Sequence, residues 1–201
     1  MDRPARLYLA SASPRRRELL TQIGLEHIVL QVPAPAGEDE PQHPGETPAD
    51  YVRRTAREKA ERGLAWMEHQ GLPVLPLLAA DTTVMLDGQV LGKPADRADA
   101  LRMLACLSGT THEVHTAVVL AHGQTLHQAV SITEVSMRPL SRAECERYCD
   151  SGEPFGKAGS YGIQGLAGSF IRHISGSYSG VMGLPLFETS ELLGHAGIAL
   201  P

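Results

Sequence analysis

The sequence predicts a mixed α/β fold, in which a twisted sheet carries helices on its faces. Short apolar runs typical of buried strands alternate with segments whose apolar residues recur at helical spacing. The alternation lacks the strict strand–helix–strand repeat of an all-parallel sheet, which favours mixed strand directions. A chain of 201 residues, 42% of them hydrophobic, is long enough for one domain, or two closely packed lobes, with a sizeable core. We expect residues 1–201 to form a single domain.

The predicted elements follow from start and stop signals along the chain. Serine or threonine marks the start of three of the first four helices, twice with proline next, and glycine follows all four. The predicted helices span 14–23, 48–69, 96–107, 141–151 and 186–193. The predicted strands span 7–10, 74–86, 112–121, 125–137 and 169–174, with turns at Asp87-Gly88 and Gly123. The polar residues Asp81-Thr82-Thr83 interrupt the apolar run of 74–86, so this segment forms either one strand or a bulged pair of strands.

Composition excludes several classes of protein. The 18 Lys plus Arg against 23 Asp plus Glu give a net charge of −5, which argues against a general nucleic-acid binder. The three cysteines, Cys106, Cys145 and Cys149, are too few for a disulfide framework and indicate a reducing compartment. No apolar run reaches the roughly 18 residues of a membrane span, and the N-terminal run is too short for a signal peptide. We expect a cytoplasmic protein without membrane or nucleic-acid partners.

Hydroxyl and basic side chains follow the first predicted strand, in the segment Ser11-Ala12-Ser13-Pro14-Arg15-Arg16-Arg17. A helix N-terminus already carries partial positive charge, so three arginines in the first turn are unfavourable unless an anion lies nearby. A phosphate would contact the free backbone N–H groups, the hydroxyls of Ser11 and Ser13, and the guanidinium groups. The alternative is an ordinary capped helix with a solvated basic turn.

Asp81 ends the apolar run that predicts a core strand. Ligands bind at strand ends in open α/β sheets, and a carboxylate there holds a divalent metal or activates a water. The alternative is an Asx turn that only ends the strand.

Two lysines are candidates for the same site. Lys59 lies at the edge of the apolar face of the second helix, where lysine is rarely buried without a partner such as a phosphate or Asp81. The alternative is a side chain whose ammonium group reaches water. Lys93 lies in Gly92-Lys93-Pro94, where proline imposes an extended backbone and glycine permits close approach. The spacing of this segment differs from that of a P-loop.

Three other segments contain candidate ligand residues. The acidic run Glu38-Asp39-Glu40 is typical of a solvated loop and becomes a metal-ligand candidate only beside Asp81. The segment 157–165 is glycine-rich and includes Gln164, whose amide has the donor and acceptor needed to read a base edge; the alternative is a simple turn. His112 and His115 lie three apart in a predicted strand, so they project from opposite faces and cannot share a metal ion.

Taken together in chain order, the segments described above and several shorter motifs closely resemble those of the Maf family of nucleoside triphosphate pyrophosphatases. The resemblance spans nearly the whole chain, and the motifs are specific together although each is weak alone. They are Leu9-Ala10-Ser11-Ala12-Ser13-Pro14-Arg15-Arg16, Glu40, Lys59-Ala60, Ala80-Asp81-Thr82, Gly92-Lys93-Pro94, Thr116-Ala117-Val118, the segment 157–165, Gly176-Ser177-Tyr178 and Gly183-Leu184-Pro185-Leu186.

The resemblance implies a two-lobed α/β structure, similar to inosine triphosphate pyrophosphatases, with the nucleotide in a cleft, and a homodimer. It also implies that a divalent metal, Mg²⁺ or alternatively Mn²⁺, assists the splitting of a nucleoside triphosphate into monophosphate and pyrophosphate. By the same resemblance the catalytic residues are Asp81, Lys59 and Lys93; the substrate-binding residues are Ser11, Ser13, Arg15, Arg16, Thr82 and Gln164; and the metal ligands are Glu40 and Asp81. Asp39 is the alternative to Glu40.

Three positions imply a substrate preference within the family. Arg15, Thr82 and Gln164 match the Arg, Thr and Gln of the branch that acts on dTTP and UTP. The branch that prefers 7-methyl-GTP carries Trp, Gln and Glu there. Two alternatives stay open: removal of modified pyrimidine triphosphates, and a nucleotide-sensing regulator of cell division with slow hydrolysis.

Overall fold

One mixed sheet forms the centre of the protein. The computed structural model describes residues 6–33 and 41–200. The strands are β1 (Leu7–Leu9), β2 (His27–Val29), β3 (Leu77–Leu86), β4 (Gln89–Leu91), β5 (Thr111–His122), β6 (Thr125–Met137) and β7 (Ile171–Ser175). Their order is β2-β1-β3-β5-β6-β7, and β4 also pairs with β3. β1 is parallel to β2 and β3, whereas the other pairs are antiparallel.

Helices flank this sheet, which confirms the predicted fold class. They are α1 (Pro14–Gln22), α2 (Pro48–His69), α3 (Arg97–Leu107), α4 (Arg142–Asp150), α5 (Tyr178–Met182) and α6 (Leu186–His195), with 3₁₀ turns at Ala158–Ser160 and Leu166–Phe170. None of the helices within the described ranges combines the length and apolar character needed to cross a membrane.

Side-chain caps form at the starts of α2, α3 and α4. Thr47, Asp96 and Ser141 each accept the backbone N–H three residues later. Ser13 precedes α1 in extended backbone, but its side chain makes no capping hydrogen bond within the described part of the chain. Its N–H instead donates to Ser11 Oγ at 3.2 Å, so the turn before α1 is stabilised locally.

β3 is one continuous strand, and Asp81 lies in its middle. Asp81, Thr82 and Thr83 pair in register with Ala117, Thr116 and His115 of β5. Of the two alternatives for this segment, the single strand is confirmed, and it spans Leu77–Leu86. The placement of Asp81 at a strand end is wrong, because pairing with β5 continues through the polar residues.

The core divides along β3 at residues 81–83. On one side of this point, α1 and α6 pack over Leu78 and Ala80, and α2 packs on the opposite face over Leu77 and Ala79. On the other side, α3 and α4 pack over the far end of β3. The two halves of the core share β3 and β5, and Asp81 lies between them.

A gap in the sheet borders the middle of β3. On the edge opposite β5, β1 pairs with β3 as far as Leu78, and β4 pairs with it from Val84 onward. Among the described residues, 79–83 therefore have no strand neighbour on that edge, and we call this the sheet gap. The ends of β1 and β4 that border it lead into the segments of Ser11 and Lys93. The topology thus brings two predicted site segments to Asp81.

Candidate active site

Asp81 is held by α2 through both of its carboxylate oxygens. Lys59 Nζ donates to Oδ1 at 2.5 Å, and Thr55 Oγ1 donates to Oδ2 at 2.7 Å. The side chains of Lys59 and Asp81 are 27% and 14% exposed, while Thr55 is fully buried. Thr55 and Lys59 lie one helical turn apart and share a face of α2. Of the partners expected for Lys59, the structure shows Asp81.

Small residues on α2 explain how a short hydroxyl reaches β3. The buried face of α2 includes Ala56, Ala60 and Gly63. A Cβ atom at Gly63 would lie 2.7 Å from Cδ1 of Leu77, so the backbone of α2 packs closely on a leucine side chain of β3. This close approach allows Thr55, as well as the longer lysine, to hydrogen-bond the carboxylate.

Arg16 connects α1 to the residue that follows Asp81. Successive strand residues face opposite sides of a sheet, so Thr82 points away from α2. Arg16 Nη2 donates to Thr82 Oγ1 at 3.2 Å, and Nη1 donates to Ser11 Oγ at 3.1 Å. The Thr82 hydroxyl also lies 3.0 Å from Thr116 Oγ1. Arg16 and Lys59 therefore contact successive residues of β3 from opposite faces of the sheet, and these contacts together form one cluster at the sheet gap.

Arg15 lies close to the glycine-rich segment 157–165. Its Nε donates to the carbonyl of Met182 at 3.3 Å, and burial lowers the pKa of its guanidinium. Burial also lowers the pKa of the Lys157 ammonium, and the nearby Arg15 lowers it further. These two cations repel each other, so an anion bound between them would be stabilised by both.

Gln164 and Lys93 belong to segments that are tied together. Gln164 is exposed, and its side chain makes no hydrogen bond to a described residue. Lys93 is also exposed and follows β4 at the sheet gap. The carbonyl of Gly92 accepts the N–H of Gly159 at 3.0 Å, which joins the Lys93 segment to the segment of Gln164.

The structure brings most of the predicted site residues together. Asp81 contacts Lys59, and Thr82 connects to Ser11 through Arg16. The segment 157–165 includes Gln164, lies close to Arg15 and is bonded to the segment of Lys93. Ser13 lies at the start of α1, and its hydroxyl makes no hydrogen bond to the described residues. Glu40 and its alternative Asp39 lie outside the described residues.

Sequence reasoning missed several polar contacts of this cluster and of the neighbouring segment 157–166. They are made by Thr55, Thr116, Tyr148 and Glu153. Only Thr55 had a recognisable signal, because it precedes Lys59 by one turn of the same helix.

The two histidines face different surroundings, as predicted. His112 Nε2 lies 2.7 Å from the hydroxyl of buried Tyr161, and burial lowers the pKa of His112 to about 4. His115 Nε2 instead lies 2.6 Å from Glu113 Oε2. The described ranges contain no group of three or more His, Cys, Asp or Glu that could hold a metal ion.

The chemistry of Asp81 fits one ligand of a hard divalent cation. From the described residues, each carboxylate oxygen accepts one hydrogen bond, which leaves it a second lone pair for another partner. Mg²⁺ commonly takes one or two protein carboxylates and completes its shell with water and substrate phosphate oxygens. A single described carboxylate beside an anion site is therefore compatible with such an ion.

This fold and site define a mixed α/β protein with arginine and lysine side chains around a carboxylate at a gap in its sheet. A family model described as Maf-like protein matches residues 6–196. The chain therefore belongs to the Maf family.

Relatives match almost the full chain. One from Bordetella avium is 77% identical over 201 residues, covering 100% of both chains. One from Cupriavidus metallidurans is 56% identical, covering 96% of this chain and 97% of its own. Both carry the name dTTP/UTP pyrophosphatase. The solved structure of the Staphylococcus aureus Ham1 protein covers 65% of this chain and 71% of its own, with 12% identity and a TM-score of 0.40.

Proposed function

We propose that this protein hydrolyses nucleoside triphosphates at the α–β phosphoanhydride, preferring dTTP and UTP, and releases the monophosphate and pyrophosphate. The proposal rests on the cluster at the sheet gap, where the Lys59–Asp81 pair adjoins the Arg16–Thr82 hydrogen bond. Membership of the Maf family supports it, as do relatives named dTTP/UTP pyrophosphatase. The protein is accordingly an enzyme of nucleotide metabolism, a nucleoside triphosphate pyrophosphatase.

Local cations overcome the unfavourable charge of the whole protein. The net charge of −5 repels a polyphosphate at long range. Arg16, Lys59 and Lys93 supply positive charge around the sheet gap, where it stabilises negative charge that develops on phosphate oxygens. Ser11 and Ser13 add hydroxyl donors beside the N-terminus of α1, where phosphate groups bind favourably.

Asp81 is the proposed general base. It accepts a proton from the water that attacks phosphorus at the α–β bridge, using a lone pair that neither Lys59 nor Thr55 occupies. Its two hydrogen bonds from α2 fix the carboxylate, so little reorganisation is needed when the substrate binds.

A divalent metal ion, Mg²⁺ or alternatively Mn²⁺, would supply Lewis-acid neutralisation of the phosphate charge. We propose Asp81 and Glu40 as its protein ligands, with Asp39 as the alternative to Glu40. Pyrophosphate release measured with Mg²⁺, with Mn²⁺ and with a chelator tests the requirement.

Base selection is assigned to Arg15, Thr82 and Gln164. The Gln164 amide presents a donor and an acceptor, which match the alternating groups on the edge of uracil or thymine. Replacement Gln164→Glu removes the donor and adds a negative charge. We expect it to change the order of preference among dTTP, UTP, CTP and GTP while thermal stability stays near that of the wild type; an unchanged order would contradict the assignment.

The decisive experiment replaces the proposed base. Asp81→Asn keeps the shape of the side chain but removes its basicity, and we expect pyrophosphate release from dTTP to fall by about 10²-fold or more. Asp87→Asn is the matched control, because it makes the same change in the exposed turn after β3. Circular dichroism and thermal melting check that both variants fold. Wild-type turnover by Asp81→Asn would refute the assignment of the base.

A wider substrate panel separates the remaining alternatives. Faster turnover of modified pyrimidine triphosphates than of dTTP and UTP would indicate a house-cleaning role. Tight binding with negligible turnover would instead favour a nucleotide-sensing regulator. A homodimer stays a prediction from the resemblance, and light scattering at several protein concentrations tests it. A cytoplasmic location stays a prediction from the composition.

A further inference from the structure

We propose that Glu153, acting with Tyr148, is a positioning residue for base selection because it holds the backbone on both sides of Gln164. We call residues 162–166 the Gln164 loop. The inference rests on the proposed role of Gln164 in reading the base. It adds a carboxylate outside the catalytic cluster whose function is to fix that side chain in place.

Three hydrogen bonds connect Glu153 to the Gln164 loop. Glu153 Oε2 accepts the backbone N–H of Leu166 at 2.9 Å, which lies two residues after Gln164. Glu153 Oε1 accepts the hydroxyl of Tyr148 at 2.9 Å. The Tyr148 oxygen in turn accepts the N–H of Gly162 at 3.2 Å, two residues before Gln164. One carboxylate therefore restrains both flanks of the loop.

The loop also packs directly against the carboxylate. A Cβ atom at Gly165 would lie 2.4 Å from Glu153 Oε1, so a side chain at this position would displace either the loop or the carboxylate. Lys157 Nζ additionally donates to the main-chain carbonyl of Glu153. The position of Glu153 is thus coupled to the start and the middle of the glycine-rich segment.

Tyr148 is itself fixed by the core. It is 3% exposed, and its ring packs edge-on against Phe170 with centroids 5.2 Å apart. Burial raises the pKa of Tyr148, so its hydroxyl keeps its proton near neutral pH and continues to donate to Glu153. The link from the loop therefore ends on a rigid part of α4.

Backbone restraint matters because Gln164 has little else to orient it. Its side chain is exposed and hydrogen-bonds no residue in the described part of the chain. Its direction is consequently set by the loop backbone. Loosening the loop should weaken base recognition and leave the distant Lys59–Asp81 pair in place, so KM should change more than kcat.

The test compares a carboxylate in the first turn of α4 with one that lies three residues beyond the end of the helix. Glu153→Gln can accept one of the two hydrogen bonds but not both as a carboxylate does. Tyr148→Phe removes the hydroxyl, so it breaks both the bond from Gly162 and the bond to Glu153, and it leaves the bond from Leu166 in place. Glu144→Gln is the matched control, since Glu144 caps α4 at its other end through Ser141 and contacts Arg138. Steady-state kinetics of the full-length enzyme with Mg²⁺ are measured for UTP and GTP, with melting temperatures for every variant.

For Glu153→Gln we expect KM for UTP to rise about tenfold, kcat to stay within about twofold, and the preference for UTP over GTP to fall about tenfold. Tyr148→Phe should act in the same direction with a smaller effect. Glu144→Gln should lower the melting temperature without changing the preference.

Two outcomes separate this inference from the function on which it rests. If Gln164→Glu changes the preference but Glu153→Gln and Tyr148→Phe leave it and KM unchanged, the positioning role is refuted and base reading survives. If Gln164→Glu leaves the preference unchanged, base reading is refuted and the positioning role falls with it. Should Glu153→Gln fail to fold, the Tyr148→Phe result decides by the same criteria.

Discussion

His112 should make the stability of the protein depend on pH between neutrality and about pH 4. The ring is 2% exposed and lies next to the hydroxyl of Tyr161, with centroids 5.5 Å apart in an edge-on arrangement. Its Nδ1 is buried without a hydrogen-bond partner among the described residues. A proton added to this ring would therefore be poorly solvated, and the folded state favours the neutral imidazole.

The pKa values give the sign and the size of the effect. Burial lowers the pKa of His112 from 6.5 to about 4 in the folded protein. Between these values the unfolded chain binds more protons than the folded one, so the free energy of unfolding falls as the pH is lowered. Since one pKa unit is worth about 1.4 kcal/mol, the difference amounts to about 3 kcal/mol between pH 7 and pH 4. Above pH 6.5 both states are neutral at this position and the effect vanishes.

Urea denaturation at a series of pH values measures this dependence. His112→Asn should lower stability at pH 7 through lost packing but reduce the slope between pH 6.5 and 4. His69→Asn, at the exposed end of α2, is the matched control and should keep the wild-type slope. If His112→Asn retained the full wild-type slope, the buried imidazole would not be its source. Glu144 does not interfere with this measurement. Its hydrogen bond with Arg138 lowers the pKa of the Glu144 carboxyl to about 2, so the stability that this carboxylate contributes is lost mainly below pH 4.5.

Two further pairs of variants test the packing around the site. Thr55→Val removes a hydrogen bond to the central carboxylate and should lower kcat about tenfold, with Thr55→Ser restoring it. Thr189→Val is the control, because Thr189 is equally buried but its hydroxyl lacks a partner among the described residues. This variant should keep wild-type kcat and raise the free energy of unfolding by about 1 kcal/mol. Equal effects of the two valine variants on kcat would contradict the role of Thr55 in positioning the Asp81 carboxylate. Gly159→Ala should cost about 2–4 kcal/mol in thermal unfolding, because its φ is +65° and the new Cβ would lie 2.9 Å from Val84 Cγ2. Gly88 has a φ of +78° but no atom within 4 Å of the added Cβ, so Gly88→Ala should lower the free energy of unfolding by only about 1 kcal/mol. Similar losses of stability in the two alanine variants would show that packing at Gly159 contributes nothing.

The helices were predictable because their boundaries depend on neighbouring residues. Thr47, Asp96 and Ser141 cap helices through bonds that span three residues, and such signals are visible in the chain itself. β2 and α5, with 3 and 5 residues, are too short to show a period and were not predicted.

The site was predictable where a residue type conflicts with its surroundings. Lys59 stood out as a cation on an apolar helix face, and its pairing with Asp81 is confirmed. Thr55 donates to the same carboxylate at 2.7 Å, and its only signal in the sequence is its place one helical turn before Lys59. The continuation of β3 past Asp81 depends on pairing with β5, whose partner residues lie 28 to 36 positions further along the chain. Long-range pairing of this kind has no local signal.

The continuity of β3 restricts how the protein can respond to a ligand. Because the strand passes unbroken between the two halves of the core and stays bonded to β5 throughout, rotation of one half against the other would rupture the ladder at its centre. A hinge at Asp81 is therefore unfavourable. Free and nucleotide-bound forms should superimpose along β3, with adjustment confined to side chains and loops, so recognition would depend on an opening whose width the sheet sets in advance.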